Sequence, residues 1–172
     1  MTTISSRLND VDLESVGDLV GAIQADSGKA QTTWRAEVTW NGGFRSSSKV
    51  REFDPTPSDE PAGLGGDDTA PNPVEQLLGA LGNCLAVGYA ANLSAAGIAI
   101  NDLRIELEGD IDLHTFLGLE DGHAGYTSIR AAVHLDADAD PAQLEELHDK
   151  VLSTSPVGHT LSRPIAVSVQ LA

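Results

Sequence analysis

The chain is poor in several things that would define a function, and each shortage excludes a class. It has one cysteine, Cys84, in 172 residues. No disulfide can form within it, so it is not a small secreted domain stapled by cross-links, and a reducing cytoplasm is the expected location. Basic residues are few: 10 Lys and Arg stand against 26 Asp and Glu, a formal net charge of −16. Such a chain lacks the clustered cations that displace counterions from phosphate, so neither nucleic acid nor an anionic membrane surface is an expected partner. Aromatics make up only 4%, which leaves Leu, Val, Ile and Ala to build the core. The most apolar stretch, Leu85 to Ile100, is too short to span a bilayer and carries Asn92 and Ser94. Met1 to Asp10 lacks a basic region followed by an apolar run, so no secretory signal is read there. Internal repeats and low-complexity segments are also lacking.

What is present is a 41% hydrophobic chain of a length usual for one domain. Leu8, Val11, Leu19, Val20 and Ile23 fall at helical spacing, so residues 8 to 24 read as a short amphipathic helix, and residues 1–31 as an N-terminal helical extension. Trp34, Ala36, Val38 and Trp40 alternate with polar residues, which predicts a strand. Asn41-Gly42-Gly43 is a turn signal, and Arg45 to Phe53 reads as the returning strand. The Pro-, Gly- and Asp-rich run from Asp54 to Pro73 predicts a loop, with one short strand near Glu60 to Leu64. Val74 to Ala96 is the best helix, with Pro73 at its start and Gly97 at its stop. Ala, Leu and Gly populate nearly all its faces, so it reads as a buried helix. Strands are predicted at Leu103 to Leu113, Ile129 to Leu135 and Ile165 to Leu171, and a helix at Pro141 to Leu152. Residues 32–172 then form an α+β domain with mainly antiparallel pairing.

Few side chains offer chemistry. A lone cysteine in an apolar helix is ordinarily a small core residue. A reactive one needs a nearby cation or hydrogen-bond donors, and access. The helix around Cys84 has no Lys or Arg, so the cation must come from elsewhere; Arg45, Arg51, Arg130 and Arg163 are the candidates. The histidines, at 114, 123, 134, 148 and 159, include no i, i+4 pair, and no metal site is expected. His159 reads as a loop histidine, with an approach to the cysteine as the alternative. Gly63-Leu64-Gly65-Gly66 lacks the Lys-Ser/Thr of a phosphate loop, so nucleotide binding is not expected. Ser155 is not in a nucleophile-elbow context. Asp136, Asp138 and Asp140 alternate in a turn, where solvation is the expected role and weak Ca²⁺ binding the alternative.

Three segments together resemble one family. The first is Gly65-Gly66-Asp67-Asp68-Thr69-Ala70-Pro71-Asn72-Pro73-Val74-Glu75-Gln76-Leu77-Leu78, running on through Gly79-Ala80-Leu81-Gly82-Asn83-Cys84. The second is Gly97-Ile98 with the strand Ile105 to Asp112, and the third is Ser155-Pro156-Val157-Gly158-His159-Thr160-Leu161-Ser162-Arg163-Pro164. In order and spacing, over residues 33 to 172, they are similar to the OsmC/Ohr hydroperoxide reductases. The resemblance implies an OsmC-like fold, with antiparallel sheets around long central helices in an intertwined homodimer. It implies that Cys84 is a peroxidatic nucleophile, that an Arg after the hairpin glycines activates it, and that a Glu of the Asn-Pro turn holds that Arg. Arg45 and Glu75 stand near those places, each displaced by one residue. On one straight helix, nine positions at about 100° each put Glu75 opposite Cys84, so it reaches the site only from a turn. Ser155 stands where relatives with a two-cysteine cycle carry the resolving cysteine. The expected activity is therefore thiol-dependent reduction of a small organic hydroperoxide, with an external thiol as reductant and no cofactor. The alternative is a non-catalytic dimer that binds a small apolar ligand at the interface.

Overall fold

The computed structural model describes residues 7–171. The first six residues of the expected 1–31 extension, and of the stretch scanned for a signal, lie outside the described residues. The chain divides into two compact units, one of residues Glu14–Leu77 and the other of the segment up to Leu13 together with everything from Leu78 on.

The smaller unit takes in helix α1 (Leu13–Ala25), whose apolar residues Val16, Leu19 and Val20 are all exposed. Its sheet has three strands in the order β1-β2-β3: β1 (Glu37–Trp40), β2 (Ser46–Lys49) and β3 (Thr56–Ser58), all antiparallel. Gly42 and Gly43 both take positive φ in the β1–β2 turn, the conformation a tight hairpin asks for. The second strand is shorter than its sequence suggests. Arg51 adopts a left-handed φ of 50°, and the chain turns there, with the Phe53 amide donating to the Val50 carbonyl. The short strand expected at Glu60 to Leu64 is instead a 3-10 turn at Ala62–Leu64, and the sheet's third strand comes earlier, at Thr56–Ser58. Pro61, which has no N–H to give a ladder, starts that turn.

The loop that follows is organised by one acid. Asp59 is 1% exposed, and its carboxylate accepts from the backbone N–H of Glu60, Asp67 and Thr69 and from the Thr69 hydroxyl. The Thr69 hydroxyl, ahead of the backbone donors, holds this carboxyl below the usual Asp range against the opposing effect of desolvation.

Helix α2 (Pro73–Ala95) starts and stops as its sequence dictates. The Asn72 side chain accepts from the Glu75 N–H and the Glu75 carboxylate accepts from the Asn72 N–H, both at 2.9 Å. This is a capping box with Asn in the Ser/Thr position. At the other end Gly97 takes φ 74° while the Ile98 amide reaches back to the Leu93 carbonyl, closing a Schellman motif. By length and composition alone α2 is long and apolar enough to cross a membrane.

In the larger unit α2 lies on a two-stranded hairpin of β4 (Ile100–Ile111) and β5 (Tyr126–Ala137). Leu81, Leu85, Tyr89 and Leu93, spaced four apart, form its buried stripe. They join Ile98 and Val151 and pack on Leu103, Ile105, Leu107, Ile129, Val133 and Leu135. Each such aliphatic burial is worth about 1.5–3 kcal/mol. Two glycines allow the approach: a Cβ at Gly82 would stand 2.8 Å from a Leu107 methyl, and one at Gly88 would stand 2.9 Å from Val151. The outer face of the hairpin is polar. There Arg130 pairs with Asp110 and Glu108, and Glu106 pairs with Arg104 and His134. Hydrogen bonds from Arg130 and then Ser128 hold the Asp110 carboxyl at about 2.

Three helices complete this unit. Helix α3 (Leu113–Phe116) is a single turn in the β4–β5 connection. Helix α4 (Pro141–Thr154) begins with a capping box of Asp140 and Gln143, and α5 (Pro156–Ser162) follows after one residue. The seven residues of α5 have no counterpart among the sequence-predicted elements. The closing strand expected at Ile165 to Leu171 does not form. Its alternation is real, but among the described residues it pairs with no strand, and Val167, Val169 and Leu171 are 77%, 90% and 106% exposed. The helix predicted to be buried all round is likewise covered on one stripe only, for Val87 is 70% exposed.

Candidate functional site

Cys84 sits near the middle of α2, one position before Leu85 of the buried stripe, and is half-buried. Its sulfur therefore points to the flank of the core and not into it. The neighbouring element is the junction of α4 and α5, which a single residue makes. Ser155 ends one helix and caps the next, its hydroxyl accepting from the Gly158 N–H at 3.1 Å and its carbonyl from the His159 N–H at 2.9 Å. Ser155 is 4% exposed, and its Oγ lies 3.3 Å from Cys84 Sγ, within hydrogen-bonding reach. A serine 71 positions away in sequence has been brought to the only thiol.

The pair opens on a cleft of about 450 Å³. Val87, Gly88, Ala91, Val151 and Pro156 make its apolar wall, while Asn83, Asn92 and Thr154 supply the polar groups. None of these side chains is charged, and two of the three polar ones are already engaged: the Asn92 amide donates to the Gly88 carbonyl and the Thr154 hydroxyl to the Lys150 carbonyl, both at 2.8 Å. Such walls suit a small, largely apolar molecule.

The other expected residues are placed as follows. Arg45 and Glu75 both belong to the smaller unit. Arg45 forms an ion pair with Asp67, both side chains being substantially exposed, and Glu75 is the third residue of α2, bonded to the Asn72 amide. The pairing of this Arg with this Glu that the family resemblance implies is thus not made; each is held by a different partner. Glu75 is in helix and not in a turn. Arg51 lies over the Phe53 ring at 4.7 Å, and Arg130 is held by Asp110 and Glu108. Among the described residues no three His, Cys, Asp or Glu come together as a metal site.

Sequence reasoning passed over a second buried polar pair. Tyr89, 1% exposed within the stripe, shares a hydrogen bond between its hydroxyl and His148 Nδ1, with ring centroids 6.0 Å apart. Burial pushes the Tyr89 phenol up. The signal was available: a tyrosine at i, i+4 among leucines carries a hydroxyl into the core and must find a partner there.

A half-buried thiol on a central helix, faced by a helix-capping hydroxyl over an uncharged cleft, marks an α+β protein built around one cysteine. A profile of the OsmC-like protein family matches residues 65–170. The chain belongs to that family. Its fold is similar to that of an OsmC-like protein from Mycoplasma pneumoniae, with a TM-score of 0.66, 19% identity, and 77% of this chain and 89% of the other covered. An organic hydroperoxide resistance protein OsmC from Legionella pneumophila gives a TM-score of 0.56 at 15% identity, covering 76% and 91%. An organic hydroperoxide resistance protein from Elizabethkingia anophelis gives 0.54 at 17%, covering 75% and 89%. At these identities the likeness is one of fold. No curated protein matches the chain in sequence.

Proposed function

We propose that the protein is a thiol-dependent peroxidase that reduces small organic hydroperoxides at Cys84. The observation that carries this reading is the half-buried thiol opening on an uncharged, mainly apolar cleft. The Cys84 thiolate attacks the distal peroxide oxygen. The S–O bond forms as the O–O bond breaks, the released alkoxide takes a proton to leave as an alcohol, and a sulfenic acid remains. With Ser155 and not a thiol beside it, an external thiol condenses with the sulfenic acid, releasing water, and a second thiol frees Cys84. An alkyl chain is accommodated by Val87, Ala91 and Val151, so alkyl hydroperoxides are favoured over very polar oxidants.

Arg45 enters as the cation that favours the thiolate, and Glu75 as its orienting partner, through the family resemblance. Arg45 is here paired with Asp67, and Glu75 accepts from the Asn72 amide. The competing reading is a non-catalytic dimer whose cleft holds a small apolar ligand, for which neither residue is needed. Dimerisation is part of both. It is supported by the uncovered faces of α2 and by the apolar, extended segment at 163–171, which has no partner strand among the described residues. A reducing cytoplasm suits a protein that depends on one free thiol.

The deciding experiment is oxidation of the protein with cumene hydroperoxide in the presence of dimedone, read by intact mass. A rapid, stoichiometric adduct on Cys84 is expected; slow and substoichiometric modification would leave the ligand-binding reading. Sedimentation equilibrium at micromolar concentration is expected to give a dimer, and a monomer there would remove the shared interface from both readings.

A further inference from the structure

Ser155 stands where the family resemblance places a resolving cysteine, and its hydroxyl is held in a defined position. Its hydroxyl oxygen already accepts the Gly158 N–H at 3.1 Å. That bond fixes where the oxygen sits and which lone pair is used, and it leaves the hydroxyl hydrogen to be given away. Ser155 is 4% exposed, so the hydrogen does not point into bulk water. Cys84 Sγ lies 3.3 Å from the oxygen. The Gly158 position is tight as well: a Cβ there would stand 3.0 Å from Ser155 Oγ and 3.2 Å from Ser155 Cβ. Glycine at 158 lets the turn close and holds the hydroxyl where it is.

Resting on the peroxidase reading, we propose that Ser155 is a positioning residue whose hydroxyl donates to Cys84 Sγ, keeping the sulfur aimed into the cleft and stabilising negative charge on it as it reacts. An ionised sulfur is a strong acceptor, and a donor oriented in advance by its own backbone contact does not have to reorganise when the charge forms. The cleft walls contributed by α2, α4 and α5 contain no titratable side chain other than Cys84. Hydrogen bonding is therefore what those walls offer to a sulfur anion, and Ser155 supplies it. A residue that cannot form a disulfide with Cys84 thus serves the oxidation step itself.

The test is the rate at which Cys84 attacks a neutral dipyridyl disulfide, followed across pH for the wild-type protein, Ser155→Gly and Ser155→Thr. Glycine is itself a well-tolerated helix cap, so Ser155→Gly removes the donor and spares α5. Ser155→Ala is the second hydroxyl-free variant, and circular dichroism verifies the fold of each. Loss of the donor is expected to raise the midpoint of the profile by about one pH unit. A tenfold smaller thiolate fraction is partly offset by greater intrinsic nucleophilicity, with a coefficient of about 0.5. The variant should thus react about threefold more slowly below the midpoint and about threefold faster above it. The crossing of the two profiles is the signature, because a change of access or of packing scales the rate at all pH values alike. Ser155→Thr is expected to return the midpoint to the wild-type value. An unmoved midpoint in the folded hydroxyl-free variants overturns the proposal, as does a profile that is only scaled. Because the disulfide probe reports the thiolate directly, a wild-type protein inert to cumene hydroperoxide would defeat the peroxidase reading and leave this hydrogen bond standing.

Discussion

Two sides of α2 are built to different rules. One is the stripe of Leu81, Leu85, Tyr89 and Leu93, at most 9% exposed, which rests on the β4–β5 hairpin and α4. The other runs through Asn83, Cys84, Val87 and Ala91, and is left partly open beside the α4–α5 junction. The first side resembles any close-packed interior, and even its one hydroxyl is matched by a histidine. The second keeps Asn83 next to the thiol, the Ser155 hydroxyl facing it, and a gap before it. The core stripe and the half-buried thiol are thereby assigned to different residues of one helix, offset by a single position. The lesson is that an all-round apolar helix need not be an all-round buried one.

The contrast can be broken or sharpened by substitution. Cys84→Ser should abolish peroxide consumption outright while leaving the urea unfolding midpoint near the wild-type value, since the swap is nearly isosteric; a variant that still consumed peroxide would take the nucleophile away from this side. Leu93→Ala should do the reverse. Leu93 is 0% exposed, and its truncation should cost about 2–5 kcal/mol in denaturant unfolding, with Cys84 still reactive in the folded fraction. Ser155→Cys should let Cys84, once oxidised, form an intramolecular disulfide with the introduced thiol. The partners need to close only from 3.3 Å to about 2.05 Å. Non-reducing peptide mapping checks this, and full oxidation of Cys84 without the linked peptide would show that the junction is held too rigidly to close. The smallest effect belongs to Asn83→Ala, an exposed residue of the open side, which should alter stability by less than about 0.5 kcal/mol. A larger loss, measured at micromolar concentration, would reveal that something covers this side in solution.

Much of this contrast was legible in the sequence and part of it was not. Period-two alternation in Leu103 to Leu113 and helical spacing in Pro141 to Leu152 announced β4 and α4, because one face of each meets the core. Pro73 and Gly97 marked the ends of α2 through local backbone preferences. The same alternation misled at Ile165 to Leu171, since periodicity reports which faces a strand would show and is silent about whether a neighbouring strand exists. Ser155-Pro156 reads equally as a loop and as a helix start, so α5 escaped notice. The closeness of Ser155 to Cys84 followed from the family resemblance and not from any spacing, for contacts across 71 residues leave no local trace. The engagement of Arg45 by Asp67, and the loop-ordering role of Asp59, were hidden for a different reason. A region with several carboxylates gives no sequence rule for which one a given cation or amide will choose.

One contact bears on how the chain reaches this arrangement. Asn9, held at φ 53°, donates through its amide to the Ser94 hydroxyl at 2.9 Å and the Ile98 carbonyl at 3.0 Å, and accepts from the Ile100 N–H at 2.9 Å. It ties the start of the described chain to the end of α2 and the first residue of β4, across as many as 91 positions. Contacts of that separation carry a large loop-closure cost and form after the local helices and the β4–β5 hairpin. Asn9 therefore works as a late fastener: Asn9→Ala is expected to quicken unfolding while leaving the refolding rate almost unchanged. The lifetime of the folded state is then set partly at a residue far in sequence from the thiol, and lengthening that lifetime need not disturb the chemistry.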